Sequence, residues 1–190
     1  MADESDVLPK GIHEQILREQ ILTAPDFINS TAQQQPKAVI LGGQPGAGKG
    51  GLVAQAKAEL DQNAVTIDPD ELRRHHPRVA DFRRENPYEW SGRTHKDASS
   101  WADELRMAAT AEKKNLIFDT TLSDGKWASE TLIKGLQEQG YEVEVRAVAS
   151  PKLESEHGVD ERFTANTDRQ GYGRHVPEGA RDAIYGKLPV

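Results

Sequence analysis

Residues Gly43-Gln44-Pro45-Gly46-Ala47-Gly48-Lys49-Gly50 follow the apolar run Ala38-Val39-Ile40-Leu41. They fit the pattern G-x-x-x-x-G-K, with Gly50 where a Ser or Thr usually follows the lysine. Glycines let successive backbone N–H groups turn inward around a polyphosphate, and Lys49 adds charge at the outer phosphates. A helix starting there aims its positive dipole end at the same anion. The candidate nucleotide cradle is therefore Gly43, Gln44, Pro45, Gly46, Ala47, Gly48, Lys49, Gly50 and Gly51. Asp70 follows a second apolar stretch, where a carboxylate can orient an acceptor hydroxyl and take its proton. Asp68, two residues earlier, is a candidate Mg²⁺ contact or a holder of the turn. Both acids also suit a helix cap, and Asp70 could fill that role alone. Asp119 ends the run Asn115-Leu116-Ile117-Phe118, the position of an acid that contacts Mg²⁺ or the acceptor. Thr120 and Thr121 add hydroxyls beside it, or serve the turn. Arg162, Arg169 and Arg174 flank a polar, glycine-containing segment. Guanidinium groups there would clamp a transferring phosphate, with the segment acting as a mobile lid.

These residues need elements to bring them together. Apolar spacing predicts a helix over 12–22, with Ile12, Ile16, Leu17 and Ile21 on one face and Pro25 ending it. Strands are expected at 38–41, 64–67, 116–118 and 142–149. Helices are expected at 52–60, 94–112, 127–139 and 151–163, the last weakened by Gly158. A helical turn is expected at 71–75, irregular chain at 76–93, a Gly/Arg-rich loop at 165–176, and a final helix near Pro177. The first eight residues read as a disordered acidic tip. The alternation argues for an α/β fold, a three-layer αβα sandwich with a mostly parallel sheet, formed by one domain over residues 1–190. Ligands of such sheets bind beyond the carboxyl ends of the strands, which places the glycine loop, Asp68/Asp70 and Asp119/Thr120/Thr121 on one rim.

Composition narrows the classes. The chain has 190 residues, a net charge of -7 and no cysteine, which excludes disulfides and thiol chemistry. Mean hydropathy is -0.72 and the pI is near 5.4. No basic footprint favours nucleic acid as a partner, although a local basic groove stays open. No apolar run approaches the roughly 20 residues of a membrane span, and no secretory signal is visible, so the cytoplasm is expected. His75 and His76 read as surface or capping residues. Trp90, Trp101 and Trp127 read as core or pocket walls.

Four blocks in this order resemble the zeta-toxin family of P-loop kinases. They are Gly42-Gly43-Gln44-Pro45-Gly46-Ala47-Gly48-Lys49, Ile67-Asp68-Pro69-Asp70-Glu71-Leu72-Arg73 with His76-Pro77, Asn115-Leu116-Ile117-Phe118-Asp119-Thr120-Thr121, and Glu161-Arg162-Phe163 continuing to Gly173-Arg174-His175-Val176-Pro177. The resemblance runs from about residue 12 to residue 188. It implies a toxin that transfers the ATP γ-phosphate, with Mg²⁺, to the 3′ hydroxyl of the amino sugar of UDP-N-acetylglucosamine, blocking cell-wall precursor synthesis. It also implies a cognate antitoxin that lays a helix over the nucleotide site. By that resemblance Lys49, Arg162 and Arg174 contact ATP phosphates and Asp70 is the general base. Asp119, Thr121 and, more weakly, Asp103 contact the sugar nucleotide. The chain departs from the family at Gly50 and Gly51, which lack the usual hydroxyl, and at Asp119, which replaces a glutamate. It also ends soon after its last motif, where longer relatives carry further helices. The alternatives are another nucleotide-type acceptor, or a nucleotide-binding interaction module with little kinase activity.

Overall fold

The computed structural model describes residues 6–122, 124–148 and 151–185. Four parallel strands form one sheet in the order β2-β3-β1-β4. These are β1 (Lys37–Gly43), β2 (Val65–Ile67), β3 (Leu116–Asp119) and β4 (Glu142–Val148). β1 is buried from its second residue onward, as expected of a strand with neighbours on both edges and helices on both faces. Its side chains alternate between two cores. Ala38 and Ile40 join Val65, Ile67, Leu116, Phe118, Trp101 and Leu105 on one face, while Val39 and Leu41 join Ile117, Ala56 and Ala64 on the other. β4 is an edge strand and stays largely exposed.

The first face is covered by α1 (Lys10–Ile16), which widens into π turns over Leu17–Ile21, and by α7 (His95–Ala111). The π turns of Trp127–Ile133, running into α8 (Lys134–Glu138), complete that layer. The second face is covered by α3 (Lys49–Glu59). Shorter helices are α2 (Pro25–Asn29), α4 (Pro69–Leu72) with a 3₁₀ turn at Arg73–His75, α5 (Val79–Glu85) and α6 (Trp90–Arg93); α9 (Lys152–Gln170) and α10 (Glu178–Tyr185) close the described chain.

Several sequence expectations are corrected. Pro25 opens α2 rather than ending α1, because the first helical position needs no N–H. Ile12 is 45% exposed, so the apolar face of α1 starts at Ile16. Residues 76–93 are ordered into α5 and α6 around Phe82, which is fully buried. Their arginines conceal the pattern because they stack: Arg78 and Arg93 lie 4.6 and 3.8 Å over the Phe82 ring. The acidic tip is fixed at its end. Asp6 is buried and takes two hydrogen bonds from Arg93, at 2.8 and 2.9 Å. Residues 1–5 lie outside the described residues. His76 is buried, not a surface residue; Nδ1 accepts from the Arg78 N–H at 3.2 Å, and Nε2 donates to the Asp6 carbonyl at 3.2 Å. Finally, α9 runs through Gln170 to a left-handed Gly171, so Arg169 is helical and the loop is shorter than expected.

Candidate functional site

The sheet order reverses direction around β1, and a crevice opens beyond its carboxyl end. The glycine loop leaves β1 there and Asp68-Pro69-Asp70 leaves β2. Asp119 ends β3 level with Leu41, and the Thr120 N–H donates to the Leu41 carbonyl at 2.9 Å. Gly46 and Gly48 have φ of +82° and +84°, conformations that only glycine adopts freely, and Gly48 caps α3. The loop is also clamped from outside. A Cβ on Gly46 would lie 2.3 Å from the Ser155 carbonyl oxygen, and one on Gly158 would lie 2.5 Å from the Gly46 carbonyl oxygen. Ser155 Oγ donates to the Pro45 carbonyl at 2.7 Å. Gly158 is thus where α9 meets the loop backbone to backbone. Arg162, one helical turn further on, reaches the cleft from a docked helix.

Lys49 Nζ donates to the Gly43 carbonyl at 2.9 Å and stands 3.7 Å from Asp119 Oδ1. Burial lowers the Lys49 pKa and raises that of Asp119, each outweighing the pull of the other charge. The pair therefore sits in a site short of solvation, where an added anion at Lys49 and an added cation at Asp119 are both favoured.

Asp68, not Asp70, caps the short helix: its Oδ1 accepts from the Asp70 N–H at 2.8 Å. That leaves the Asp70 carboxylate free to face the cleft. Arg73 Nε donates to Asp70 Oδ1 at 3.1 Å, and Arg174 pairs with Asp70 Oδ2. Burial works to raise the Asp70 pKa, but Arg174 and Arg73 outweigh it and hold the carboxyl below its usual value. Arg73 is itself buried, held by the Ser91 carbonyl, by Thr94 Oγ1 at 3.2 Å and by His95 Nδ1 at 3.2 Å. Asp68 goes the other way. Burial, then the Asp70 and Asp119 carboxylates, push its pKa up to about 6. A folded pKa above the unfolded one weakens the fold as pH rises through that window. Asp68→Asn keeps the cap, so it is expected to raise the melting temperature by about 2–4 °C at pH 8. The gain should shrink as pH falls from about 6 toward the ordinary carboxylate value of 3.8, as thermal melts at several pH values would read. A lower melting temperature at pH 8 would mean that the cap needs its charge.

The cleft has a volume of about 1180 Å³. Asp103 on α7, Thr121, Arg162, Arg169 and Arg174 all line it, so the sequence candidates converge. Asp103 pairs with Arg106 at 3.4 Å. Of the tryptophans, Trp101 is core, while Trp90 and Trp127 are cleft walls. Among the described residues the lining carries seven cations (Lys49, Arg73, Arg74, Arg83, Arg162, Arg169, Arg174) against five acids (Asp68, Asp70, Glu71, Asp103, Asp119). An acidic chain thus holds a locally basic cleft. Sequence reasoning assigned no role to Arg73, Arg83 or His95, whose place in the cleft depends on contacts with remote segments. Among the described residues, no group of three or more His, Asp or Glu side chains is placed to hold a metal by itself. No helix among them is long and apolar enough to cross a membrane.

Comparison with known proteins identifies the family and the fold. Toxin zeta of Streptococcus pyogenes is 27% identical over 162 residues, spanning 84% of this chain and 55% of that protein. Toxin zeta of Enterococcus hirae is 30% identical over 164 residues, spanning 84% and 56%. The chain thus spans about half the length of the curated relatives it matches. Among solved structures, a chain of the PezAT chromosomal toxin–antitoxin system of Streptococcus pneumoniae superposes with a TM-score of 0.76 at 24% identity, over 88% of this chain and 68% of that one. A chain of the AvrRxo1-ORF1:-ORF2 complex with ATP gives 0.62 at 18% identity, over 93% and 55%. At these identities the superpositions establish the fold. The Zeta toxin family model matches residues 23–190, which include the whole described sheet and its rim, and this chain belongs to that family.

Proposed function

We propose that this protein is an ATP-dependent phosphotransferase of toxin type, acting in the cytoplasm. It places the γ-phosphate on the 3′ hydroxyl of the amino sugar of UDP-N-acetylglucosamine and is neutralised by a cognate antitoxin. The observation that carries the reading is the facing arrangement of Lys49 on the glycine loop and Asp70 across the cleft, with Arg162 and Arg174 reaching in from the α9 side. A module that only bound nucleotide would have no use for a carboxylate poised beside an acceptor. Support for the antitoxin comes from the PezAT likeness, whose name describes a toxin–antitoxin system.

The loop fits a polyphosphate: its left-handed glycines turn N–H groups inward, and Lys49 is a partly desolvated cation. Mg²⁺ fits beside it on the same rim, where burial and neighbouring acids leave Asp68 and Asp119 with raised pKa values. When bound, that ion would neutralise phosphate charge. Lys49 and Arg162 hold the transferring phosphate and its developing charge, and Arg174 joins them from its place beside Asp70. Asp70 orients the acceptor hydroxyl and takes its proton. Asp103, Asp119 and Thr121 position the sugar.

Gly50 leaves the site without the hydroxyl that usually helps to hold Mg²⁺. A Cβ there meets nothing within 4 Å, so Gly50→Ser fits without strain. The variant is expected to raise apparent Mg²⁺ affinity and turnover several-fold, read by Mg²⁺ titration of ATP hydrolysis or transfer. Coincident curves would show that the hydroxyl is irrelevant.

The functional reading is tested by mass spectrometry of a nucleotide-sugar panel incubated with ATP, Mg²⁺ and the protein. One added phosphate on UDP-N-acetylglucosamine is expected. Phosphate on another nucleotide acceptor would move the substrate assignment, and intact ATP across the panel would leave a binding module.

A further inference from the structure

Arg83 has no role in the scheme above, yet it projects from α5 into the same cleft. Its guanidinium carbon lies 3.4 Å from the ring centroid of Tyr172 and 4.4 Å from that of Trp90. Both rings are fixed. Trp90 Nε1 donates to the Gly173 carbonyl at 2.9 Å, and the two rings meet edge to face at 6.3 Å. Stacking of this kind occupies the faces of a guanidinium and leaves the N–H groups in its plane free to meet an anion.

The comparison within the molecule is informative. Arg78 and Arg93 also stack on an aromatic ring, that of Phe82, and both pair with Asp6, at 3.5 and 2.8 Å. Arg83 repeats the stacking without an acid. Among the described residues it has no carboxylate partner, and its Nε is buried with no hydrogen bond. Burial lowers its pKa, opposed only by the Tyr172 side chain. A half-buried cation without a carboxylate partner is stabilised by an anion that reaches it.

Its place in the cleft says what supplies it. Tyr172 and Gly173 lead directly into Arg174, which pairs with Asp70. Arg83 therefore lies on the Asp70 side, across from the glycine loop. A hydroxyl beside Asp70 belongs to an acceptor whose remaining atoms extend along this wall.

We propose that Arg83 binds a phosphate group carried by the acceptor itself, making it a specificity-determining residue that selects phosphate esters over free sugars. The inference rests on the phosphotransferase reading. In-plane N–H pairs suit two phosphate oxygens at once, whereas the neutral hydroxyls of a free sugar leave the cation uncompensated.

The test uses the full chain with its glycine loop saturated by a non-hydrolysable ATP analogue. UDP and uridine are titrated by calorimetry into the wild type, Arg83→Gln and Arg83→Lys. Arg83→Gln is expected to weaken UDP by about tenfold or more, the range of one charge-assisted bidentate contact. Uridine and ATP-analogue affinities should stay within about twofold, with Arg83→Lys intermediate for UDP because a point charge replaces the fork. Equal UDP affinities for wild type and Arg83→Gln, or no UDP binding by the wild type, would overturn the proposal. So would equal losses for UDP and uridine, which would mean that Arg83 only shapes the wall. These binding outcomes are independent of catalysis, so absent phosphotransfer would sink the functional reading and leave this one separately decided.

Discussion

Asp70→Asn is expected to lower turnover by about 10²–10⁴-fold while ATP still binds, the range usual for an acid–base group. The carboxylate is ionised at neutral pH because Arg174 and Arg73 outweigh the effect of burial. An anion held that way is a weak base. In the proposed reaction its contribution is to orient the hydroxyl and accept the proton late, which suits a loose phosphoryl transition state. Asparagine keeps the shape and one acceptor oxygen but loses the charge. Stability follows a definite sign. A depressed folded pKa stabilises above the unfolded value and is lost as pH falls through the folded one. The variant should therefore melt lower than wild type at pH 7, and the gap should narrow as pH falls below the ordinary carboxylate value of 3.8. The fold should survive, since Arg73 keeps Ser91 and Thr94 as partners. Rates measured alongside ATP titration decide the role. Lost ATP affinity with a retained rate would make Asp70 a structural or metal-holding residue.

Lys49→Ala is expected to reduce phosphotransfer by at least about 10²–10³-fold, the effect of deleting one donor aimed at developing charge. The side chain is mostly shielded, and burial weakens its hold on its proton, so its interaction with an incoming phosphate is little screened by water. Little of the fold depends on it. It gives one hydrogen bond to the Gly43 carbonyl and one contact with Asp119 at 3.7 Å, longer than a hydrogen bond. Melting temperature should move by only a few degrees. A folded Lys49→Ala protein with near wild-type turnover would remove the glycine loop from the chemistry.

Much of the site was legible before folding because its chemistry is local. The glycine loop needs left-handed backbone at set positions, and only glycine supplies it, so Gly46 and Gly48 mark the loop in any context. Asp119 was legible because it ends a short apolar run, and that run became a strand in register with β1. Asp68 and Asp70 were placed correctly on the rim, but their division of labour was not. Either acid can cap a helix, and only the folded turn shows Asp68 accepting the N–H while Asp70 meets two arginines.

By itself, then, the amino-acid sequence determined the alternating α/β order, the glycine loop and the three acids at two strand ends. Those features depend on apolar period and on residues a few positions apart. Tertiary structure decided whatever joins distant segments. Gly158 reads as a flaw in a helix until the helix is seen against Gly46, where no side chain fits. Arg174 reads as a phosphate clamp from sequence, and only the fold brings it across the cleft to Asp70, 104 positions away. Asp6 reads as a loose acidic tip until Arg93 and Arg78 close on it. Arg83 falls in a stretch that reads as irregular chain until Trp90 and Tyr172 flank it. A charge on a surface and a charge in a site are the same letter; burial and the partner supplied by a remote segment make the difference.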